Sequence, residues 1–231
     1  MIPKIIHFCW FGHNPYPANV KKSIESWEKY CPDYEIKCWN EDNFDLSECL
    51  YAQQALSEKK WAFVSDYVRA SVLYKYGGIY MDSDMLVLKN FDFALENTAF
   101  CSLANPGIIS MGLLGFEKNH PIMKEHLESY KGRKFIKDDG TYDLTTNVTV
   151  FSNHLKELGL SLEDKAQMIG DICIYPTEYF YPTDFEGYRS NYTENTCAEH
   201  LHSASWLPKG KRLQIALRRR IRRILARINK R

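Results

Sequence analysis

The chain has 231 residues, 45% of them apolar and 14% aromatic, enough to bury one substantial core. Seven cysteines, at positions 9, 31, 38, 49, 101, 173 and 197, include no C-x-x-C pair, so neither a zinc ribbon nor a dithiol redox motif is supported, and no stretch reaches the length of a membrane span. The net charge of +1 hides an asymmetry: residues 209–231 carry eleven Lys and Arg and no acid, which leaves a body of nineteen basic and 29 acidic residues, near −10. With no basic segment followed by an apolar run at the amino terminus, the expectation is free thiols in a reducing cytosol.

Residues 2–12 (IPKIIHFCWFG) predict a first central strand ended by glycine. Trp10 and Phe11 then fall at its carboxyl end, where ligands sit in open α/β sheets, although isolated aromatics are more often core. Residues 17–30 predict a crossover helix, with proline near the start and Val20, Ile24 and Trp27 at helical spacing. A second strand over 34–39, a turn at 40–43 and a helix over 50–59 follow. Residues 61–76 give a strong helical pattern, with apolar residues three and four apart and Gly77 as its stop. Asp66 and Arg69 lie three apart on that helix. On a surface such a pair is worth about 0.2–0.5 kcal/mol. This helix is apolar around much of its circumference, however, so the pair is expected to be partly buried.

After Gly77-Gly78, a short apolar run at 79–81 enters Asp82-Ser83-Asp84 and a second apolar run at 85–88. An Asp-x-Asp triplet alone is more often a solvated turn or a helix cap. Two acids at the mouth of a buried strand are costly unless compensated, and a hard cation is the usual compensation. Oxygen ligands of this kind suit magnesium, manganese or calcium. Together with Asp66 and Arg69 they predict a polar pocket: two anionic metal ligands, an acid for sugar hydroxyls, and a cation for phosphate or sugar oxygens.

Farther on, residues 106–121 predict two short strands and a loop, 122–130 a helix, 132–140 an exposed loop, and 141–158 a helix after a polar start. Residues 172–182 predict a strand and an aromatic turn. His200-Leu201-His202-Ser203-Ala204-Ser205-Trp206 forms a second polar cluster, in which only one histidine is expected to face the metal. In residues 209–231 a helix would align Leu213, Leu217, Ile221, Ile224, Leu225 and Ile228 in one stripe, with arginines over the rest. Such a basic amphipathic helix suits an anionic membrane surface. Docking on the acidic body or on a partner helix is the alternative, and nucleic acid is a weaker third.

The segments PKIIHFCWFG, YEIKCWNE, FVSDYVRASVLYKYGGIYMDSDMLVL and HLHSASW together resemble glycosyltransferase family 32, which includes bacterial capsular and lipopolysaccharide sugar transferases and yeast initiating mannosyltransferases. The Ser-Asp-x-x-Arg … Gly-Gly-Ile-Tyr-x-Asp-x-Asp block is also similar to that of the clostridial glucosylating toxins. The resemblance covers the first 90 residues closely and returns near 200–206. It implies a GT-A type α/β fold with a Rossmann-like nucleotide-binding sheet over residues 1–207, followed by the amphipathic segment 208–231. It implies a nucleotide-sugar donor, UDP-linked by family habit, with Mn²⁺ or Mg²⁺. Retaining transfer of a hexose or N-acetylhexosamine to a saccharide or lipid-linked acceptor in bacterial surface polysaccharide synthesis would follow, on the inner face of the cytoplasmic membrane.

Residue by residue, the resemblance makes Asp84 the direct metal ligand and sets Asp82 against ribose, donor sugar and metal. Asp66 and Arg69 would hold the donor sugar and Trp10 would stack on the base. His202 would be a third metal or diphosphate contact, with Ser205 and Trp206 closing over the diphosphate. Family members often carry Gly-Pro where this chain has Thr145-Thr146-Asn147. Two other readings compete: a non-catalytic membrane adaptor, and an Asp-x-Asp phosphatase. The phosphatase needs Thr or Val soon after the acid pair, where Met85 stands here, and it leaves the Ser-Asp-x-x-Arg helix unexplained.

Overall fold

A computed structural model gives the fold; it describes residues 1–203 together with 210, 211, 213–215, 217 and 218. The first half of the chain runs β1 (Ile5–Cys9), α1 (Ala18–Tyr30), β2 (Glu35–Trp39), α2 (Leu50–Ser57), α3 (Trp61–Tyr76), β3 (Gly78–Met81) and β4 (Met85–Val87). After a 3₁₀ turn at Asp92–Glu96 come β5 (Ala99–Asn105), β6 (Ile108–Phe116), α4 (Pro121–Glu128), α5 (Asn147–Glu157), β7 (Gln167–Ile169), β8 (Ile172–Tyr175), α6 (Thr177–Phe180) and β9 (Ala198–His200).

Seven strands form one sheet in the order β2-β1-β3-β6-β5-β8-β7. β1 runs parallel to β2 and β3, and β6 is antiparallel to both β3 and β5. Each face of the sheet carries its own apolar cluster. One gathers Val64, Val68 and Leu73 of α3 with Met123 of α4 and Phe151 and Leu155 of α5. The other gathers Trp27 of α1 with Phe91 and Phe180. Burial on both faces explains the near-continuous apolar runs of the central strands.

The Gly77-Gly78 stop is required by the backbone and by space. Both residues have positive φ, at +68° and +99°. A Cβ at Gly77 would lie 2.7 Å from the Lys118 backbone nitrogen, and one at Gly78 2.7 Å from the Ile5 carbonyl oxygen. The chain can therefore leave α3 and enter β3 directly beneath its neighbours, which brings Asp66 and Arg69 close to the acids that follow β3.

A small second sheet pairs β4 with β9 and is clamped by α1. Trp27 Nε1 donates to the Met85 carbonyl at 2.7 Å, and Ser26 Oγ accepts from the Val87 N–H at 2.9 Å.

Two local expectations change. Residues 108–116 are one nine-residue strand, not two short ones. Its interior glycines are not punctuation: the position of a Gly115 Cβ is filled by the Phe100 ring, 2.2 Å away. Residues 177–180 close into a short helix where an aromatic turn was expected, because the Asp164 carboxylate accepts from both the N–H and the hydroxyl of Thr177. β5 and β7 carry no distinct strand signal in the sequence. All seven cysteines are unpaired.

Candidate active site

The polar pocket forms where the parallel strands β1 and β3 end. Trp10 follows β1, and its indole Nε1 donates to the Asn14 carbonyl at 2.6 Å while its ring meets the edge of Tyr16. Asp82 and Asp84 follow β3. The Asp82 N–H donates to the Gly112 carbonyl at 2.8 Å, and the Asp82 carbonyl accepts from the Met85 N–H at 2.9 Å, so the acid pair sits in a tight turn between two held strands.

Asp66 and Arg69 are more deeply buried than expected, at 8% and 5% exposure. Arg69 bridges two carboxylates, Asp66 at 3.3 Å and Asp82 at 3.2 Å. It also donates to the Met111 carbonyl of β6 and lies 4.4 Å from the centre of the Tyr80 ring. Its Nε–H has no hydrogen-bond partner among the described residues. A buried guanidinium is stable here because anionic and π partners surround it. Burial pushes the Asp66 carboxyl up to about 6, against the opposing pull of Arg69 and of the Asn147 N–H at the start of α5.

Asp84 is fixed from the other side. Its backbone carbonyl accepts from the Leu201 N–H at 3.0 Å, and its carboxylate accepts from the Ser203 N–H at 2.6 Å. His200 Nε2 lies 3.0 Å from the other carboxylate oxygen. Burial alone would raise the Asp84 carboxyl, but His200 and Ser203 hold it well below the usual carboxylate range. It is therefore ionised, as a cation ligand must be.

Asp82, Asp84 and His200 each present a ligand atom within 4.8 Å of the others, the one such group among the described residues. Two carboxylates and one imidazole form a mixed oxygen and nitrogen donor set, in which the acids suit a hard cation and the imidazole a transition metal. The residues present fit a divalent cation.

His200, not His202, stands beside the acid pair. Positions two apart on an extended strand share a face, so the spacing alone does not separate the two rings, whose centroids lie 4.3 Å apart. The pairing register decides between them. β9 sets His200 opposite Met85, next to Asp84. His202 leaves the strand with φ of +52°, and its Nε2 lies 3.3 Å from the Thr183 carbonyl oxygen. Ser205 and Trp206 lie outside the described residues, as does much of 209–231.

The chain is similar to known glycosyltransferases. Residues 17–101 match the family model described as a glycosyltransferase sugar-binding region containing DXD motif. An uncharacterised glycosyltransferase of Acanthamoeba polyphaga mimivirus is 26% identical over 224 residues, covering 90% of this chain and 85% of the viral protein. Inositol phosphoceramide mannosyltransferase 3 of Schizosaccharomyces pombe is 32% identical over 126 residues, covering 53% of this chain and 35% of the yeast protein. The chain thus spans most of the viral relative and about a third of the yeast one. Among solved structures, the PaToxG glycosyltransferase superposes with a TM-score of 0.51 at 21% identity, covering 68% of each chain, a likeness of fold. The resemblance, the GT-A type fold and the enzyme class expected from the sequence, glycosyltransferase, are borne out.

Proposed function

We propose that this glycosyltransferase moves a hexose or N-acetylhexosamine from a nucleotide sugar, by family habit UDP-linked, to a saccharide or lipid-linked acceptor, with retention and with Mn²⁺ or Mg²⁺. The observation that carries the reading is the convergence of Asp82, Asp84 and His200 beside the buried Asp66–Arg69–Asp82 string. When bound by those three residues, a divalent cation supplies positive charge to the departing nucleoside diphosphate.

The rest is the work of the chain itself. Arg69 is fixed on three sides and holds Asp66 and Asp82 in place for the donor sugar. Asp66, held at the start of α5, accepts from a sugar hydroxyl. Trp10, at the end of β1, lies where a base would stack. A lipid-linked acceptor is consistent with the name of the yeast relative, a mannosyltransferase of inositol phosphoceramide. A cytoplasmic enzyme lying on the inner face of the membrane through residues 209–231, in the synthesis of a bacterial surface polysaccharide, follows from the same reading.

The test is nucleotide release from UDP-, GDP- and CMP-sugars, with Mn²⁺ or with chelator, for wild type and Asp84→Asn. Metal-dependent release from one donor, lost in the variant, supports the reading and names the donor. If no donor is hydrolysed and none raises the unfolding temperature, the reading fails and the adaptor takes its place.

A further inference from the structure

Asp82 and Gly112 are cross-strand neighbours: the ladder pairs Met81 with Leu113 and continues through the Asp82 N–H to the Gly112 carbonyl. Side chains in opposed positions normally stand side by side. Here the Asp82 carboxylate instead folds over β6. A Cβ built on Gly112 would lie 2.6 Å from Asp82 Oδ2 and 3.0 Å from Tyr181 Oη. The φ of Gly112 is not in the left-handed region, unlike that of Gly77 or Gly78. Its backbone conformation therefore does not call for glycine; space does.

The far wall is Tyr181, 1% exposed, whose ring edge rests on His200 with centroids 5.8 Å apart. Its hydroxyl faces Ser110 of β6 as well as the space over Gly112. It therefore closes the space beside Asp82. Arg69 holds the other carboxylate oxygen, Asp82 Oδ1.

We propose that Gly112 and Tyr181 form a slot that aims the Asp82 carboxylate at the cation position, which makes both of them positioning residues of the metal centre. This inference rests on the metal reading above. Gly112 admits the carboxylate over the strand, Tyr181 limits how far it travels, and Arg69 sets its tilt. A methyl group at position 112 fills the slot and displaces the Asp82 carboxylate.

The experiment is calorimetric titration of the metal-free protein with Mn²⁺, with thermal unfolding followed in parallel. Gly112→Ala is expected to weaken Mn²⁺ binding about tenfold or more, the usual scale for groups that orient a metal ligand. Tyr181→Phe, which keeps the ring and removes the hydroxyl that limits the carboxylate's travel, is expected to weaken Mn²⁺ binding by a smaller factor, about threefold. The double variant is expected to bind Mn²⁺ more tightly than Gly112→Ala, because the missing hydroxyl leaves the carboxylate room to move off the added methyl. Weaker Mn²⁺ binding in a Gly112→Ala protein that keeps the wild-type unfolding temperature separates a slot from mere overpacking, and the double variant decides the matter if Gly112→Ala alone does not fold. Wild-type affinity in Gly112→Ala, or a double variant no better than the single one, overturns the slot and leaves the metal reading standing. A wild-type protein that takes no Mn²⁺ overturns both.

Discussion

At the scale of single residues, the site depends on which atoms face one carboxylate. His200 and His202 have the same chemistry and nearly the same place in the sequence, yet only His200 approaches Asp84. His200→Ala is therefore expected to weaken Mn²⁺ binding by about 10–100-fold, whereas His202→Ala leaves it close to wild type. Equal losses in a calorimetric titration would remove the assignment. Arg69 offers a second test. It neutralises Asp66, which is buried with it, so Arg69→Ala leaves an uncompensated buried acid and should cost about 3–5 kcal/mol in urea unfolding. Arg69→Lys should not restore activity, because an ammonium cannot span both carboxylates and the Met111 carbonyl as a planar fork does. The Asp66–Arg69 pair and the acid pair could be read from the sequence because both lie within one helix-strand unit. His200 could not, because nothing local marks which of two histidines a distant strand will present.

At the scale of elements, β1, β2 and α3 are locked together by a residue outside the site. His7 is fully buried in β1. Trp39 Nε1–H donates to His7 Nδ1 at 3.1 Å, so the ring proton sits on Nε2, which donates to the Gly77 carbonyl at 2.8 Å. A second ring proton would displace the Trp39 bond and bury a charge. Burial accordingly lowers the His7 pKa to about 4. The folded protein binds this proton less well than the unfolded chain, so stability falls as pH drops from about 6.5 to about 4, by up to roughly 3 kcal/mol. His126 of α4, also buried and lowered to about 3, acts in the same direction. Denaturant unfolding between pH 7 and 4 should therefore show a steeper loss in wild type than in His7→Gln. Parallel curves would show that His7 does not titrate in this way. The sequence placed β1, α1, β2 and α3 well because each carries its own periodicity and stop signal. It divided β6 because glycine normally interrupts a strand, and only the packed sheet shows what fills the space those glycines leave.

At the scale of the whole molecule, an acidic body near −10 carries a basic segment at 209–231. Of the described residues there, Leu213 and Leu217 are exposed at 73% and 57%. Each basic residue near an anionic bilayer adds about 1 kcal/mol, weakened by salt. Replacing Arg218, Arg219, Arg220, Arg222 and Arg223 by Gln in the 231-residue chain should abolish co-sedimentation with phosphatidylserine-containing vesicles, while nucleotide release from a soluble donor continues. Vesicle binding that survives those changes, or that ignores salt, would point away from an electrostatic membrane contact. Loss of nucleotide release in the same variant would favour docking on the acidic body instead.

The sequence by itself determined the enzyme class, the sheet-and-helix architecture and the acids of the site. Those properties reside in contiguous stretches where periodicity, glycine stops and the Asp-x-Asp spacing are all local. The tertiary structure decided what depends on register between strands far apart in the chain: His200 beside Asp84, Met111 on Arg69, and Gly112 beneath Asp82. Such pairings are fixed by the packing of the whole sheet, which no single stretch encodes.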